Sequence, residues 1–292
     1  MENKNSCLLC PRKCGVNRAE KKGYCARSST VTVARRSLHM WEEPPISGTK
    51  GSGTVFFTGC NLRCIFCQNH EISLESNCGR EYTPSELSAL FFELVDMGAH
   101  NINLVTPTHY ADKIAEALSV RKLPVPVVYN CGGYEDAETL KLFKDLVDIW
   151  LPDFKYAEPE LAAKLSNAPD YPEVCMNALR EMRSMQSENI YSDDGLLKKG
   201  MIIRHLILPL HTKNSMKVLE LIAENFPDVP VSLMAQYTPI GSFPDFPELE
   251  RGITAREYHK VLDKMEELDL DGFIQKRSSK GERFIPDFSG NM

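Results

Sequence analysis

From residue 54 onward, short apolar runs alternate with helical stretches, and this alternation restricts the possible folds. The predicted strands are Thr54–Phe57, Ile102–Thr106, Val125–Tyr129, Asp148–Leu151, Ile202–Leu208 and Val231–Met234. The predicted helices between and after them are Ser85–Met97, Ala111–Leu118, Ala137–Leu146, Pro172–Gln186, Ser215–Asn225 and Ala255–Leu268. Apolar strands separated by helices are typical of βαβ units with parallel strands. Six such units predict an α/β fold, a partial (β/α)6 barrel with an open side and functional residues at the carboxyl ends of its strands.

Three cysteines directly follow the first of these strands. They are Cys60, Cys64 and Cys67, in the segment Cys-Asn-Leu-Arg-Cys-Ile-Phe-Cys. Thiolates are the ligands that iron–sulfur clusters require. Three of them can hold three irons of a [4Fe–4S] cluster and leave the fourth iron open to another ligand. Phe66, just before the third cysteine, is predicted to shield the cluster from water.

A second group of four cysteines precedes the predicted barrel, with Gly15 and Gly23 between them. Its members are Cys7, Cys10, Cys14 and Cys25. Four thiolates complete a tetrahedral structural zinc site, and four equally suit an auxiliary [4Fe–4S] cluster. The spacing predicts a small metal-binding knuckle and leaves the identity of the metal open.

The order of these features predicts three parts of the chain. Residues 1–50 contain the cysteine-rich segment and a linker, residues 51–240 the barrel, and residues 241–292 a C-terminal extension that packs on the barrel. Within the linker we expect a short strand at Val31–Ala34. The paired prolines after Glu42 and Glu43 favour extended or turning backbone. Residues 188–199 are predicted to be an exposed insertion.

Composition excludes several classes of function. The chain has 292 residues and a net charge of −6, which argues against a nucleic-acid partner. Its sequence contains no apolar run near the ~20 residues that a membrane span needs, and no apolar signal segment at the N-terminus. We therefore expect a cytoplasmic location. Ten cysteines in that reducing compartment indicate metal ligands before disulfides.

The cysteine spacing is the signature of the radical S-adenosylmethionine (SAM) superfamily. The whole chain resembles pyruvate formate-lyase activating enzyme-like proteins (PflX type). The stretches that carry the resemblance are Cys7–Arg18, Glu42–Gly48, Cys60–Asn69, Asn101–Tyr110, Leu151–Tyr156 and Met234–Tyr237. The resemblance implies an oxidoreductase that binds a [4Fe–4S] cluster and SAM. It further implies anaerobic chemistry, with an electron from a flavodoxin or ferredoxin converting SAM to methionine and a 5′-deoxyadenosyl radical.

Polar residues at the predicted strand ends are expected to hold parts of SAM. The turn that contains Thr106, Thr108 and His109 follows the second strand and is expected to receive the methionyl amino group. Asn130 follows the third strand, near the position where the glycyl-radical activating enzymes place a ribose-binding acid. In those enzymes a Gly-Gly-Glu-type turn follows the second strand, and this chain lacks it.

Further cofactor contacts are predicted at the remaining strand ends. Asp153 and Lys155 follow the fourth strand on one face of extended chain, where a plain ion pair is the alternative role. Resemblance to the glycyl-radical activating enzymes implies that Lys155 contacts the SAM carboxylate. Asn69 belongs to the cysteine loop that this chain shares with those enzymes. Arg204 on the fifth strand and Gln236 after the sixth complete the predicted contacts.

The substrate stays open at this stage. The first hypothesis is a protein substrate, the glycine of a glycyl-radical enzyme, which makes the chain an activase. The second is radical modification of another peptide or of a small molecule, aided by an auxiliary cluster. The third is an iron–sulfur or zinc scaffold that does not cleave SAM.

Overall fold

The computed structural model describes residues 6–75 and 78–274, and two sheets form its centre. The strands are β1 (Val31–His39), β2 (Ser52–Phe57), β3 (Arg80–Tyr82), β4 (Ile102–Val105), β5 (Val127–Cys131), β6 (Ile149–Pro152), β7 (Ile190–Tyr191), β8 (Leu197–Met201), β9 (Ile203–Leu206), β10 (Val231–Met234) and β11 (Gly272–Ile274). The first sheet has the order β3-β1-β2-β4-β5-β6-β8-β7, and the second has the order β11-β10-β9.

Eight helices accompany these strands in the described residues. They are α1 (Pro44–Ser47), α2 (Pro84–Asp96), α3 (Ala111–Val120), α4 (Ala137–Leu140), α5 (Pro159–Ser166), α6 (Tyr171–Met185), α7 (Thr212–Asn225) and α8 (Ala255–Glu267). Short 3-10 or π turns occupy Glu71–Glu75, Thr108–Tyr110, Lys141–Phe143 and Pro247–Glu250. The predicted helix Ala137–Leu146 is therefore shorter than expected and ends in a 3-10 turn, whereas α5 was not predicted.

All six predicted strands are present, each within two residues of its predicted bounds. Strands β2, β4, β5 and β6 pair in parallel in that order. Strands β9 and β10 also pair in parallel, with Arg204 opposite Ser232. A single parallel bridge between Asp153 and Arg204 joins the first sheet to the second. The expectation of an α/β fold with a mostly parallel sheet is confirmed.

The prediction of a linker before the barrel is wrong. β1 pairs antiparallel with β2 from His39 opposite Ser52 to Val33 opposite Phe57. Val31 and Val33 are fully buried, so this strand belongs to the barrel core, and a boundary at residue 50 cuts through paired strands. Between the two strands, α1 forms a single turn with proline at its start, where a missing N–H costs nothing. Of the two expectations for this segment, extended or turning backbone, the structure shows the second, as one helical turn.

The predicted exposed insertion is wrong in its second half. β7 and β8 form a hairpin, and β8 then pairs in parallel with β6. Leu196 and Leu197 are buried, and the Gly200 N–H donates to the Asp148 carbonyl at 3.0 Å. The hairpin therefore extends the first sheet beyond β6.

The C-terminal part of the described chain packs on the barrel. On α8, Tyr258, Val261 and Met265 are buried, and Lys264 forms a 3.0 Å ion pair with Glu220 of α7. β11 adds to β10 in parallel. The predicted packing of the stretch up to Phe288 lies, from residue 275 on, outside the described residues. Among the described helices, none combines the length and the apolar character that a membrane crossing requires.

Asn101 anchors α1 to the sheet, and its replacement tests this architecture. Its buried amide accepts from Ser52 at 2.6 Å and donates to the Ile46 carbonyl at 2.7 Å. Asn101→Ala leaves both partners unpaired, and we expect the free energy of unfolding to fall by about 2 kcal/mol in urea titrations. The control Ser119→Ala removes a side-chain hydrogen bond of an exposed helix residue and should cost under about 0.5 kcal/mol. Equal losses would contradict the anchoring role.

Candidate active site

A cavity of about 700 Å³ opens where the parallel strands end. Its wall combines the cysteine loop, polar residues in or directly after five strands, and the segment before α1. The lining residues include Met40, Trp41, Glu42, Glu43, Cys60, Cys64, Phe66, Cys67, Gln68, Asn69, Thr106, Asn130, Asp153, Lys155, Arg204, Ser232, Met234 and Gln236. The cavity therefore contains most of the chemically reactive side chains that the sequence indicated.

The cysteine loop is held tightly at both ends. Gly59 has φ +82°, and a Cβ at this position would lie 2.6 Å from the Cys25 carbonyl oxygen, so only glycine fits there. The Leu62 N–H donates to the sulfur of Cys60 at 3.4 Å, and the Ser73 hydroxyl donates to the sulfur of Cys67 at 3.3 Å. Such donors stabilise thiolates.

The three thiols of this loop have the chemistry of cluster ligands. Burial, and then the neighbouring Cys64, raises the pKa of Cys60 to about 12. The pKa of Cys67 is raised for the same two reasons. Buried thiols of this kind ionise when a metal supplies the positive charge. The cysteine side chains therefore fit a metal centre that faces the cavity.

The three loop cysteines are not arranged as the ligand set of a single metal ion. Among residues 6–75 and 78–274, no three cysteine, histidine or acidic side chains are placed to hold one metal ion. Ligands of an iron–sulfur cube bind different irons, so they stand farther apart than the ligands of one ion. Three loop cysteines beside an open cavity are consistent with the cube.

Arg12 fastens the N-terminal segment to the cysteine loop. Its guanidinium donates to the carbonyls of Asn61 at 2.8 Å and Leu62 at 3.3 Å. It also donates to Ser166 at 3.0 Å and Asn167 at 2.5 Å, at the end of α5. The rings of Tyr24 and Tyr134 lie 4.2 and 4.9 Å from the guanidinium carbon. One side chain therefore fixes the loop against a helix end.

Asp153 forms the centre of a charged network in the cavity wall. Its carboxylate accepts from Lys155 at 2.5 Å and from Arg204 at 2.7 Å. Burial opposes ionisation, but Arg204 and Lys155 outweigh it and hold the pKa of Asp153 below its ordinary value. Arg204 also donates to the side-chain oxygen of Asn130 at 2.6 Å. The strand ends of β5, β6 and β9 are thus tied together.

Two further acids, Glu42 and Glu43, face the same cavity. Glu42 lies 3.5 Å from Arg204, a long ion pair. Glu43 is 3% exposed, and its Oε2 has no hydrogen-bond partner among the described residues. The pKa of both acids is raised, because burial outweighs the opposing effect of the Arg204 charge. The cavity therefore contains more carboxylates than fixed cations.

Most of the predicted cofactor contacts lie together in this cavity. Lining it are Cys60, Cys64, Cys67, Phe66, Asn69, Thr106, Asn130, Asp153, Lys155, Arg204 and Gln236. Thr106 has φ +59°, a conformation that is rare for a β-branched residue, so the wall carries backbone strain here. Their individual contacts with SAM stay predictions.

Thr108 and His109 do not line the cavity. The Thr108 hydroxyl donates to Glu135 at 2.7 Å, and His109 Nε2 lies 2.7 Å from the Thr58 carbonyl oxygen. Burial lowers the pKa of His109 to about 3, so its ring is neutral. The 3-10 turn Thr108–Tyr110 points both side chains into the core, which removes them from the set of cavity residues.

Sequence reasoning missed several residues that shape the cavity. Glu42 and Glu43 were part of a matching stretch, but their paired prolines suggested a linker. Gln68 donates to the Gln236 carbonyl at 3.4 Å and closes one end of the cavity. Arg12 and Ser232 have no sequence signal of their own, because only the folded chain places them here.

The four N-terminal cysteines lie outside this cavity, on the segment that Arg12 docks. Cys7 and Cys14 both influence the pKa of Cys25, which burial raises, so the thiols are neighbours. A Cβ at Gly23 would lie 3.4 Å from the sulfur of Cys14 and 3.6 Å from that of Cys25. Within the described residues, however, these cysteines are not arranged as a ligand set for one metal ion. The predicted four-cysteine knuckle is therefore not shown.

Comparisons with known proteins define the family. A sequence profile of the Radical SAM superfamily matches residues 54–232, more than half of the chain. The chain is also 30% identical over 276 residues to uncharacterized protein MJ0674 of Methanocaldococcus jannaschii, covering 91% of this chain and 76% of that protein. The chain belongs to the radical SAM superfamily. Its cofactors are accordingly a [4Fe–4S] cluster and SAM.

One solved structure supports the fold, and the fold alone. A radical SAM methyltransferase from Sphaerobacter thermophilus superposes with a TM-score of 0.53 at 11% identity, over 77% of this chain and 66% of that one. A domain of pyruvate-formate lyase-activating enzyme from Bacteroides vulgatus has a TM-score of 0.38 at 14% identity, over 66% of this chain and 91% of that one. These similarities do not define an activity for this chain.

Replacement of Arg12 tests its hold on the cysteine loop. Arg12→Lys keeps the charge but cannot reach four carbonyls, so we expect unfolding to become easier by about 2 kcal/mol and iron to be lost faster to a chelator. Lys13→Ala is the matched control, because Lys13 is 62% exposed and makes only a 3.7 Å contact with Asp136. If Arg12→Lys retains iron as well as Lys13→Ala does, the hydrogen bonds of Arg12 are not needed to hold the cysteine loop.

Replacement of Asp153 tests the charged network, with a defined dependence on pH. Asp153→Asn leaves buried cations without their carboxylate, and we expect a loss of about 3 kcal/mol in urea titrations at pH 7. Because the pKa of Asp153 is lowered in the folded state, its contribution to the free energy of unfolding is present above about pH 4 and is lost in stronger acid. The difference in stability between the wild type and Asp153→Asn should therefore become smaller in acid.

Asp228 offers the control for this experiment. It is 65% exposed and pairs with Arg183 at the surface, so Asp228→Asn should cost no more than about 1 kcal/mol. A loss of stability in Asp153→Asn that is equally small, or that grows in acid, would contradict the role of Asp153 in the charged network.

Proposed function

We propose that the chain is a radical enzyme that abstracts a hydrogen atom from a substrate bound in the cavity, and that this substrate is part of a protein. The observation that carries the proposal is the cysteine loop opening into a cavity rich in hydrogen-bonding side chains. The chemistry that the bound cluster and SAM supply is one-electron cleavage of the sulfonium, which yields methionine and a radical that takes hydrogen.

The residues of this chain divide the remaining tasks. Cys60, Cys64 and Cys67 hold the iron, and Phe66, which is 7% exposed, limits water at the loop. Lys155 offers an ammonium to the carboxylate of SAM, since it lies near Cys64 in the same wall. The pKa of Lys155 is raised, because Asp153 outweighs burial, so this charge is permanent at neutral pH.

The rim of the cavity supports a protein substrate. Met40 and Trp41 line it and are 43% and 62% exposed. Exposed Met and Trp side chains suit the docking of a peptide segment. On this basis, together with the sequence resemblance, the glycine of a glycyl-radical enzyme is our first candidate, with a flavodoxin or ferredoxin as the electron donor.

A second candidate rests on the N-terminal cysteines. Arg12 joins their segment to the cluster loop, so an auxiliary cluster there would lie close to the site. Such a cluster would favour modification of another peptide or of a small molecule. Structural zinc would leave the first candidate in place.

Iron content and SAM cleavage test the proposal directly. We expect anaerobically reconstituted protein to release 5′-deoxyadenosine from SAM in the presence of dithionite, and Cys64→Ala to abolish the release and most of the cluster iron. Cys78→Ser is the control, because Cys78 lies outside both cysteine groups. A fully loaded wild type that forms no 5′-deoxyadenosine would leave the non-catalytic scaffold as the remaining hypothesis.

Metal analysis of a second variant separates the two candidates. If the N-terminal cysteines bind zinc, Cys10→Ser should lose about one zinc per chain and keep about four irons. A wild type without zinc, and a variant that loses about half of the iron, would identify an auxiliary cluster instead.

A further inference from the structure

The cavity has two chemically different ends. Ser232, Met234 and Gln236 all line it, so it follows β10 and its continuation over five residues, or about 13 Å of extended chain. Gln236 contacts Gln68 of the cysteine loop at one end. Glu43 lies beside Ser232 at the other end. The acidic end is therefore the end of the cavity farther from the cysteine loop.

The charges at the acidic end do not balance. The cavity is lined by three carboxylates, Glu42, Glu43 and Asp153, but by only two side chains with a permanent positive charge, Lys155 and Arg204. Asp153 forms ion pairs with both of them, at 2.5 Å from Lys155 Nζ and 2.7 Å from Arg204 Nε. His39 also lines the cavity, but burial lowers its pKa, so it adds no charge at neutral pH.

Glu43 is the carboxylate that receives no hydrogen bond from Arg204, although the guanidinium charge lies close enough to favour its ionised form. The guanidinium of Arg204 already donates to Asp153, Asn130 and Glu42. Oε2 of Glu43 is buried and has no partner in the described chain. A buried carboxylate oxygen without a donor is costly unless a ligand supplies one. Because Glu43 lines the cavity, that donor can come from a bound molecule.

We propose that Glu43, with Glu42 beside it, binds a positively charged amine or guanidinium group of the substrate. This inference rests on the proposed function, because it places that group beyond SAM in the same cavity. The substrate class is then a basic molecule, or a peptide with a lysine or arginine near the reacting carbon. The acids hold this cation by charge-assisted hydrogen bonds.

Binding of simple probes tests the proposal without turnover. The full chain, with its cluster and SAM but without reductant, is titrated with n-butylammonium, n-butanol and butyrate in a calorimeter. We expect butylammonium to bind at least about tenfold more tightly than butanol, and butyrate to bind most weakly. Equal binding of the three probes by the wild type would overturn the proposal, whatever the variants do.

Variants then assign the effect to the acids. Glu43→Gln should weaken butylammonium binding by about tenfold to a hundredfold and leave butanol unchanged. Glu160→Gln, on an exposed part of α5, should change neither. Unchanged butylammonium binding in Glu43→Gln, or an equal loss of SAM affinity, would overturn the assignment. Release of 5′-deoxyadenosine without probe is scored separately, so failure of the radical chemistry is distinguished from failure of this site.

Discussion

The ion pair between Asp153 and Arg204 is the contact on which the rest of the site depends. It lies where β6 of the first sheet meets β9 of the second, and the same two residues form the backbone bridge between the sheets. Buried ion pairs rarely add stability over an apolar core. This one joins the two sheets and aligns Lys155 and Asn130 along one wall of the cavity, so its contribution is to geometry.

The opposite wall is fixed by contacts with the N-terminal segment. Arg12 binds the carbonyls of the cysteine loop, and Arg18 of the same segment donates to the His109 carbonyl and lies over the ring of Tyr110. The four-cysteine segment therefore acts as a support for the cluster loop, whether or not it carries a metal of its own. Loss of that segment would remove the hydrogen bonds that Arg12 donates to the cysteine loop.

Hydrophobic periodicity was sufficient to predict the barrel, because each parallel strand is a short apolar run that is buried on both faces. It predicted only the first four residues of β1 and missed the β7–β8 hairpin, because these strands reach the sheet through pairing that no local pattern records. β7 has only two residues, Ile190 and Tyr191, and both are exposed. No buried apolar run therefore marks this strand in the sequence. Only the pairing of β1 with β2 shows that residues 31–53 belong to the sheet and are not a linker.

The cavity was predictable in part for a similar reason. The cysteine loop and the residues at strand ends follow from chain order, because parallel strands end at one edge. Thr108 and His109 follow a strand as well, yet a 3-10 turn directs them into the core. Glu42 and Glu43 come from outside the βα pattern, and Glu43 is distinguished only by a buried Oε2 that has no hydrogen-bond partner in the part of the chain that the structure describes.

The central claim is that SAM binds the open iron of the cluster that the loop cysteines hold. Electron paramagnetic resonance of the reduced, reconstituted protein tests it most directly, because a ligand on the iron changes the electronic environment of the cluster. The account predicts that addition of SAM shifts the g values of the cluster signal in the wild type. A cluster signal that is identical with and without saturating SAM would contradict it.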